Sequence, residues 1–399
     1  MPDVADAIII GAGIHGASAA FHLAERGFRP VVLERATVAS GATGRSSGLV
    51  RMHYDVETDA RLAWCSHAYF REWEERIGGA CGFVRTGFLQ LVAEDETDAL
   101  GANVAMLRAI GIPTEMIDAD GVRDLMPGVA VDDLALAAWE PESGYADPTS
   151  TTNALLRAAV DRGARLVQGA AVTSIRVDRG HVVGVDTPRG SWDAAIVIDA
   201  AGAWAAAVAA MVGVDLPLEV WRHDVAYLAR PSEVGPHPAM IDFANAFYIR
   251  PEGASLTLIG LEDGNELGSS PDRQTDSAAP GFPERAAARI CRRLPGFEMA
   301  GLQSAHSGQD GLTPDQHPII GPAGPDGFYL DCGFSGTGFK TAPAVGRCLA
   351  ELILDGQALT VDLRPYRFER FADADLIRGE HPYAPVWREA SLEEDLSAR

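Results

Sequence analysis

Lysine is all but missing from this chain. Of the 33 basic residues among 399, 32 are arginine and one is Lys340. Replacement of surface lysines by arginine gives such a bias, yet one position has kept an ammonium. That compact charge on a flexible stem is not always replaceable by a planar guanidinium, so Lys340 stands out before any motif is read. Cysteine is scarce as well: Cys65, Cys81, Cys291, Cys332 and Cys348 are odd in number and widely spaced, with no C-x-x-C. This speaks against a disulfide framework or a zinc cluster and fits a reducing, cytoplasmic location. There is no H-x-x-x-H, so no metal is expected. No G-x-S-x-G elbow offers an anchor for serine hydrolase chemistry. No apolar run reaches the roughly 18 residues of a spanning helix. The opening Met1-Pro2-Asp3 lacks the basic flank of a secretory signal. Positive charge is short overall: 33 basic against 56 acidic residues leaves −23. Such a field repels phosphate backbones and anionic lipid surfaces, so neither nucleic acid nor membrane is an expected partner. At 47% hydrophobic the chain is not mainly disordered.

What is present reads most plainly at the N-terminus. Residues 5–10 form an apolar run, a buried strand by length and β-branching. It leads into Gly11-Ala12-Gly13-Ile14-His15-Gly16, and residues 17–26 continue as a helix that Gly27 stops. Residues 30–34 are the next strand, completing a β-α-β unit of a parallel sheet. A bare G-x-G-x-x-G is weak evidence, and a glycine turn without a ligand is the plain alternative. Here a strand precedes it, a helix follows, and Glu34 ends the second strand. Gly11 permits the tight turn, Gly13 lets backbone approach a pyrophosphate, and Gly16 lets helix and strand pack closely. Glu34 is placed to accept both hydroxyls of an adenosine ribose. It favours FAD or NAD over NADP, whose 2′-phosphate it would repel.

Downstream segments separate FAD from NAD. The loop Ser40-Gly41-Ala42-Thr43-Gly44-Arg45-Ser46-Ser47-Gly48 is rich in small and hydroxyl residues that could line phosphate and ribitol. Residues 196–204 are an apolar run ending in small residues, which lets backbone approach a flat cofactor. Gly333-Phe334-Ser335-Gly336-Thr337-Gly338-Phe339-Lys340 opens a helix. Its free N–H groups and Lys340 form a site for negative charge, of the kind that reduced flavin develops at N1 and O2. Further strands are expected at 85–92, 171–177, 182–186 and 194–200, helices at 152–162 and 342–354, and an antiparallel sheet across 219–261. Residues 380–399 are polar and expected to be mobile.

With these motifs the sequence resembles the FAD-dependent amino-acid oxidoreductases of the D-amino-acid-oxidase superfamily. The resemblance is greatest to the sarcosine oxidase, dimethylglycine dehydrogenase and flavin proline dehydrogenase group. Its other markers are Leu49-Val50-Arg51-Met52-His53-Tyr54, Thr313-Pro314-Asp315-Gln316-His317-Pro318-Ile319-Ile320-Gly321 and residues 333–346. The resemblance implies an α/β fold with a doubly wound, Rossmann-like FAD-binding domain from residues 1–80, 147–212 and 308–399. An interleaved α+β substrate domain with an antiparallel sheet would come from residues 81–146 and 213–307. It implies FAD contacts at Gly11, Gly13, Ile14, His15, Gly16, Glu34 and Arg35, and along the loop at Ser40, Gly41, Thr43, Arg45, Ser46, Ser47, Gly48 and Leu49. Others fall at Val172, Ala201, Gly202, Trp204, Gly308, Gly336, Thr337, Gly338, Phe339 and Lys340. Arg51 matches the family's substrate-carboxylate arginine, Lys340 a second carboxylate or flavin contact, and Tyr248 a tyrosine of the substrate pocket. His53 and His223 are further catalytic candidates, and the ring of His306 is expected over the pocket.

The sequence also departs from the pattern. Gly308 stands where monomeric sarcosine oxidases carry the cysteine that tethers flavin, and the N-terminal loop lacks the histidine used by other members. Non-covalent FAD is therefore expected. The lysine with which those oxidases activate oxygen matches a position near Thr257. The implied activity is oxidation of an amino acid or N-methylamino acid, with hydride transfer to flavin N5 and hydrolysis of the imine. A flavin 2-hydroxy-acid dehydrogenase, or a flavoprotein subunit of a heteromeric sarcosine-oxidase-like complex, is the alternative. The partners implied are a small amino-acid substrate, oxygen or another electron acceptor, and a second copy or a partner subunit.

Overall fold

The computed structural model describes residues 3–268, 270–272 and 275–383. Its central sheet has six strands in the order Arg165–Gln168, Pro30–Glu34, Ala7–Ile10, Val197–Asp199, Phe328–Cys332 and Ile319–Pro322. The first five are parallel and the last is an antiparallel edge. Ala7–Ile10 and Pro30–Glu34 are buried at every position, as strands covered on both faces must be. The helices Ile14–Glu25, Pro148–Asp161 and Gly338–Asp355 pack together on one side. The other carries a small sheet that includes Ser174–Asp178, His181–Thr187 and Gly190–Asp193, together with the helix Ala205–Ala210.

Small residues let two of these helices approach. A Cβ on Gly346 would lie 2.2 Å from Ser18 Oγ, and that hydroxyl donates to the Ala342 carbonyl at 2.7 Å. His15 Nε2 meets the Gly338 carbonyl at 3.0 Å. The N-termini of Ile14–Glu25 and Gly338–Asp355 are thereby held side by side.

A second sheet has eight strands in the order Gly301–Leu312, Glu219–Ala229, Leu256–Leu261, Phe247–Glu252, Ala239–Asp242, Phe88–Leu91, Leu136–Glu140 and Glu115–Asp118. All its pairings are antiparallel except Ala239–Asp242 with Phe88–Leu91. The helices Ala119–Leu125 and Phe282–Arg293 bury one face of it. Arg293, almost wholly buried, donates to Asp242 at 2.7 Å.

Several element bounds differ from the sequence reading. The strand expected at 85–92 is two, Val84–Arg85 and Phe88–Leu91. They are broken at Gly87, whose φ is +73° and whose Cα lies against the Trp139 ring. The helix expected from 152 begins at Pro148. Its first turn, Thr149-Ser150-Thr151-Thr152, is poor in helix formers, but Asp147 caps it by accepting the Ser150 N–H at 2.5 Å. The sequence pattern does not single out Glu57–Arg71, because polar Asp59, Ser66 and His67 share its buried face. The tail expected to be mobile is anchored at its start. Asn103 donates to the His381 carbonyl at 2.9 Å, and the Tyr383 hydroxyl meets His53 Nε2 at 2.7 Å. Residues 384–399 of that tail lie outside the described residues.

Candidate functional site

The paired helix N-termini, the loop at 40–48 and strand residues from both sheets open on one cavity of about 790 Å³. One region of it is made of backbone. Gly11 has φ +107°, and a Cβ there would lie 2.5 Å from the Ala200 carbonyl oxygen. A Cβ on Gly16 would lie 2.0 Å from the Gly11 oxygen. No side chain fits at either position. The first-turn N–H groups of Ile14–Glu25 have no partner within the helix, and no acid sits in that turn to compete for its positive end. Thr43 Oγ1 accepts the Ile14 N–H at 3.1 Å. The Glu34 carboxylate accepts Ala12 N–H at 2.9 Å and Ala36 N–H at 2.7 Å. Those two bonds fix its orientation and leave lone pairs free for two hydroxyls. Arg35 lies 4.1 Å over the Trp204 ring at the rim. Phosphates at the helix N-terminus and a ribose at Glu34 fit this donor and acceptor set.

Every expected cofactor contact lines the cavity except Gly16 and Gly48. Gly16 serves the helix–strand approach beneath it. Gly48, at φ +68°, faces the Ala146 carbonyl, which a Cβ would meet at 2.2 Å. His15 lines the wall as a wedge: its ring stacks on Phe334 at 3.5 Å, and Nδ1 lies 3.2 Å from the Asp331 carboxylate. On the neighbouring strand, burial, reinforced by Asp331, pushes the Asp199 carboxyl up to about 8.

The other region is made of side chains from five separate segments: Arg51, His223, Tyr248, Glu262 and Lys340. Arg51 has no carboxylate within ion-pair distance among the described residues. One of its terminal nitrogens donates to the His53 carbonyl, and its buried Nε has no partner among the described residues. Its Cζ sits 4.6 Å over the Tyr54 ring, with Lys340 Nζ 5.8 Å from the same ring. Burial, then the Arg51 charge, pull the Lys340 pKa well below the usual lysine value. The Tyr248 hydroxyl meets His223 Nε2 at 2.9 Å. Burial drives the His223 pKa down to about 4 and raises that of Tyr248.

Four readings are corrected here. His53 is buried outside the cavity lining, held by Tyr383, and desolvation drives its pKa down to about 3. His306 stacks beside Tyr227 at 5.9 Å and does not line the cavity. Thr257 is fully buried and bonded to His237 at 2.8 Å, so a side chain there points into protein and away from the site. The fourth correction is an omission. Tyr248 pairs with Gly260 across the sheet, and a Cβ on Gly260 would lie 2.3 Å from the tyrosine hydroxyl. The tyrosine ring therefore crosses the glycine, and alternation places Glu262, two residues on, on the same face. The sequence reading passed over Glu262 and also Asp310. Asp310 accepts the Gly336 N–H at 2.7 Å and the Gly311 N–H at 2.8 Å, pinning the loop before Lys340.

The sequence profile described as DAO, FAD dependent oxidoreductase, matches residues 6–352. The chain belongs to the DAO family of FAD-dependent oxidoreductases. Its cofactor is FAD, for which the glycine turn, the helix N-terminus and Glu34 supply the fitting groups. The chain is 31% identical to mitochondrial sarcosine dehydrogenase of Homo sapiens across 93% of its own length, but it spans only 42% of that protein. It is 29% identical to glycine oxidase of Geobacillus kaustophilus, covering 92% of this chain and 97% of that one. Among solved structures, L-proline dehydrogenase from P. horikoshii superposes with a TM-score of 0.88 at 26% identity, over 94% of this chain and all of that one. Glycine oxidase from Geobacillus kaustophilus gives 0.81 at 27%, over 92% and 99%. This family member has no helix among its described residues long and apolar enough to cross a membrane.

Proposed function

We propose that the chain oxidises a carbon–nitrogen bond of a small amino acid or N-methylamino acid, of the sarcosine, dimethylglycine or proline kind. The observation that carries this is the pair of cations, Arg51 and Lys340, without ion-pair partners among the described residues, in one FAD-sized cavity. When bound, FAD supplies an acceptor at flavin N5 for a hydride from a carbon next to nitrogen, which leaves an imine that water hydrolyses. Arg51 offers its partnerless Nε to a carboxylate, and Lys340 a second contact. An arriving carboxylate also favours the charged form of Lys340 that burial disfavours. Tyr248 and the neutral His223 brace one another and close the wall.

A 2-hydroxy-acid substrate would need a base for its alcohol proton. Of the two histidine candidates only His223 lines the cavity, and its Nε2 is already engaged by Tyr248. Glu262 is a carboxylate in the same wall able to take that proton, so the substrate panel, and not the lack of a base, separates the two readings. The test is anaerobic bleaching of the purified flavoprotein by a panel of amino acids, N-methylamino acids and 2-hydroxy acids. Bleaching by amines supports the reading; bleaching by hydroxy acids alone overturns it.

Strand membership supports a division into an FAD-binding part from residues 1–80, 147–212 and 308–399 and a substrate part from 81–146 and 213–307. Five unpaired cysteines support a reducing, cytoplasmic location. Assembly with a second copy or a partner subunit belongs to the same proposal, and gel filtration of the active protein tests it.

A further inference from the structure

Six carboxylates line the cavity: Glu34, Glu262, Asp272, Asp276, Asp310 and Asp331. Five have work within the fold. Glu34 and Asp310 accept backbone N–H groups. Asp272 and Asp276 pair with Arg35 and Arg45, and Asp331 lies against His15. Glu262 alone has no hydrogen-bond donor or ion-pair partner among the described residues. It lies within electrostatic reach of Arg51 and Lys340 yet forms no ion pair with either.

We propose that Glu262 takes the proton from the ammonium group of the substrate, so that the chain binds an amino acid as its abundant zwitterion and oxidises it as the free amine. The inference rests on the amine reading above. A zwitterion that sets its carboxylate on Arg51 and Lys340 leaves its ammonium in need of an anion, and Glu262 is the one carboxylate free to receive it. In the step, an N–H bond breaks and an O–H bond forms on Glu262. The electron pair stays on nitrogen, where it expels the hydride; water later removes the proton from the carboxyl. The groups that face Glu262 are Arg51 from the loop, Lys340 from the helix, Tyr248 from the paired strand and Asp263 beside it. Burial raises the carboxyl pKa of Glu262, which brings it nearer that of an amine, while Arg51 and Lys340 act in the opposite direction.

Two measurements on the holoprotein test this. The first is anaerobic stopped-flow flavin reduction across about pH 6 to 10, with the best amine of the panel. With Glu262 as acceptor, the second-order reduction constant of the wild type is flat between the carboxyl pKa of Glu262 and the amine pKa. In Glu262→Gln only the free base is productive, so the constant rises roughly tenfold per pH unit. Glu262→Asp keeps the plateau. A Gln profile merely scaled down from the wild type overturns the proposal, and so does a wild-type profile that itself rises tenfold per unit. The second is titration of the flavin absorbance with the zwitterion N,N,N-trimethylglycine and with its isostere 3,3-dimethylbutanoate, which keeps the carboxylate and lacks the cationic nitrogen. Glu262→Gln should weaken the zwitterion about tenfold and leave the isostere no weaker; equal weakening of the two overturns the proposal. A wild-type flavin that no amine bleaches overturns the amine reading, and this inference with it. Bleaching with an unchanged pH profile overturns this inference alone.

Discussion

The two regions of the cavity are built on different terms. Around Gly11, Gly16 and Glu34 the binding groups are backbone atoms and one carboxylate locked by two N–H bonds. Nothing there has to move, and the geometry exists once strand and helix have formed. Around Arg51, Glu262 and Lys340 the groups are ionisable side chains from segments 78 to 289 residues apart. Their charges are set against no ion-pair partner among the described residues, and burial disfavours the charged forms of both Lys340 and Glu262. The first region binds by shape, while the second holds charge waiting for a ligand. Loss of shape should be all-or-none, and loss of charge graded and dependent on the substrate.

The sharpest break in that comparison is Gly16→Val. With the Gly11 oxygen 2.0 Å from even a Cβ, the turn cannot close, and the protein should purify without flavin absorbance. In the wild type, flavin should be released by acid or heat, since Gly308 offers no tether and no cysteine lines the cavity. Pigment that stays with the denatured polypeptide would contradict non-covalent binding.

In the charged region, Arg51→Ala should raise KM for a carboxylated substrate by roughly 30- to 900-fold, from about 2–4 kcal/mol for a lost charge-assisted contact. A decarboxylated analogue should be affected far less. Equal effects on the two would remove Arg51 from the carboxylate site.

The acceptor comes next. The strand Leu256–Leu261 leads to a carboxylate at the cavity and carries no cation there. Reoxidation of the reduced protein in air-saturated buffer should therefore lag behind reduction by substrate, and a dye or quinone should outpace oxygen. Stopped-flow absorbance with a peroxide assay decides it: reoxidation that keeps pace and stoichiometric peroxide would mark an oxidase.

The remaining effect is on stability, beneath the glycine turn. Folded Asp199 holds its proton up to about pH 8, whereas the unfolded chain releases it near the ordinary carboxyl value. Its contribution is fully present below that value and is lost as pH rises toward 8, by up to about 1.4 kcal/mol per unit. Asp199→Asn, which can still accept the Ala201 N–H, should flatten the alkaline fall in Tm. A variant that melts in parallel with the wild type at every pH would show that Asp199 does not titrate in this way.

Legibility in the sequence follows the same division. The glycine turn, its strands and Glu34 were readable because their constraints are local: a tight turn, a close approach and an acid at a strand end. Arg51, Lys340 and Tyr248 were reached through motif resemblance, and Lys340 also through its solitude. Glu262 was not reached, because placing it needs the register that sets Tyr248 against Gly260. His53 misled for a related reason. Two residues from Arg51 in sequence, it is turned to Tyr383 by a tail that composition alone marks as mobile. Thr257 shows the limit of matching positions along a strand, where one step decides between the cavity and the core.

The solitude of Lys340 has a practical side. An acylating reagent meets one side-chain amine in the whole chain, and it lies inside the cavity. Its lowered pKa leaves more of it as the nucleophilic free base than an exposed lysine would hold. Side-chain labelling would thus be single-site without any engineering, the α-amine being the one other amine to account for. Protection from the reagent by a candidate ligand would report occupancy of the cavity in a protein that need not turn over.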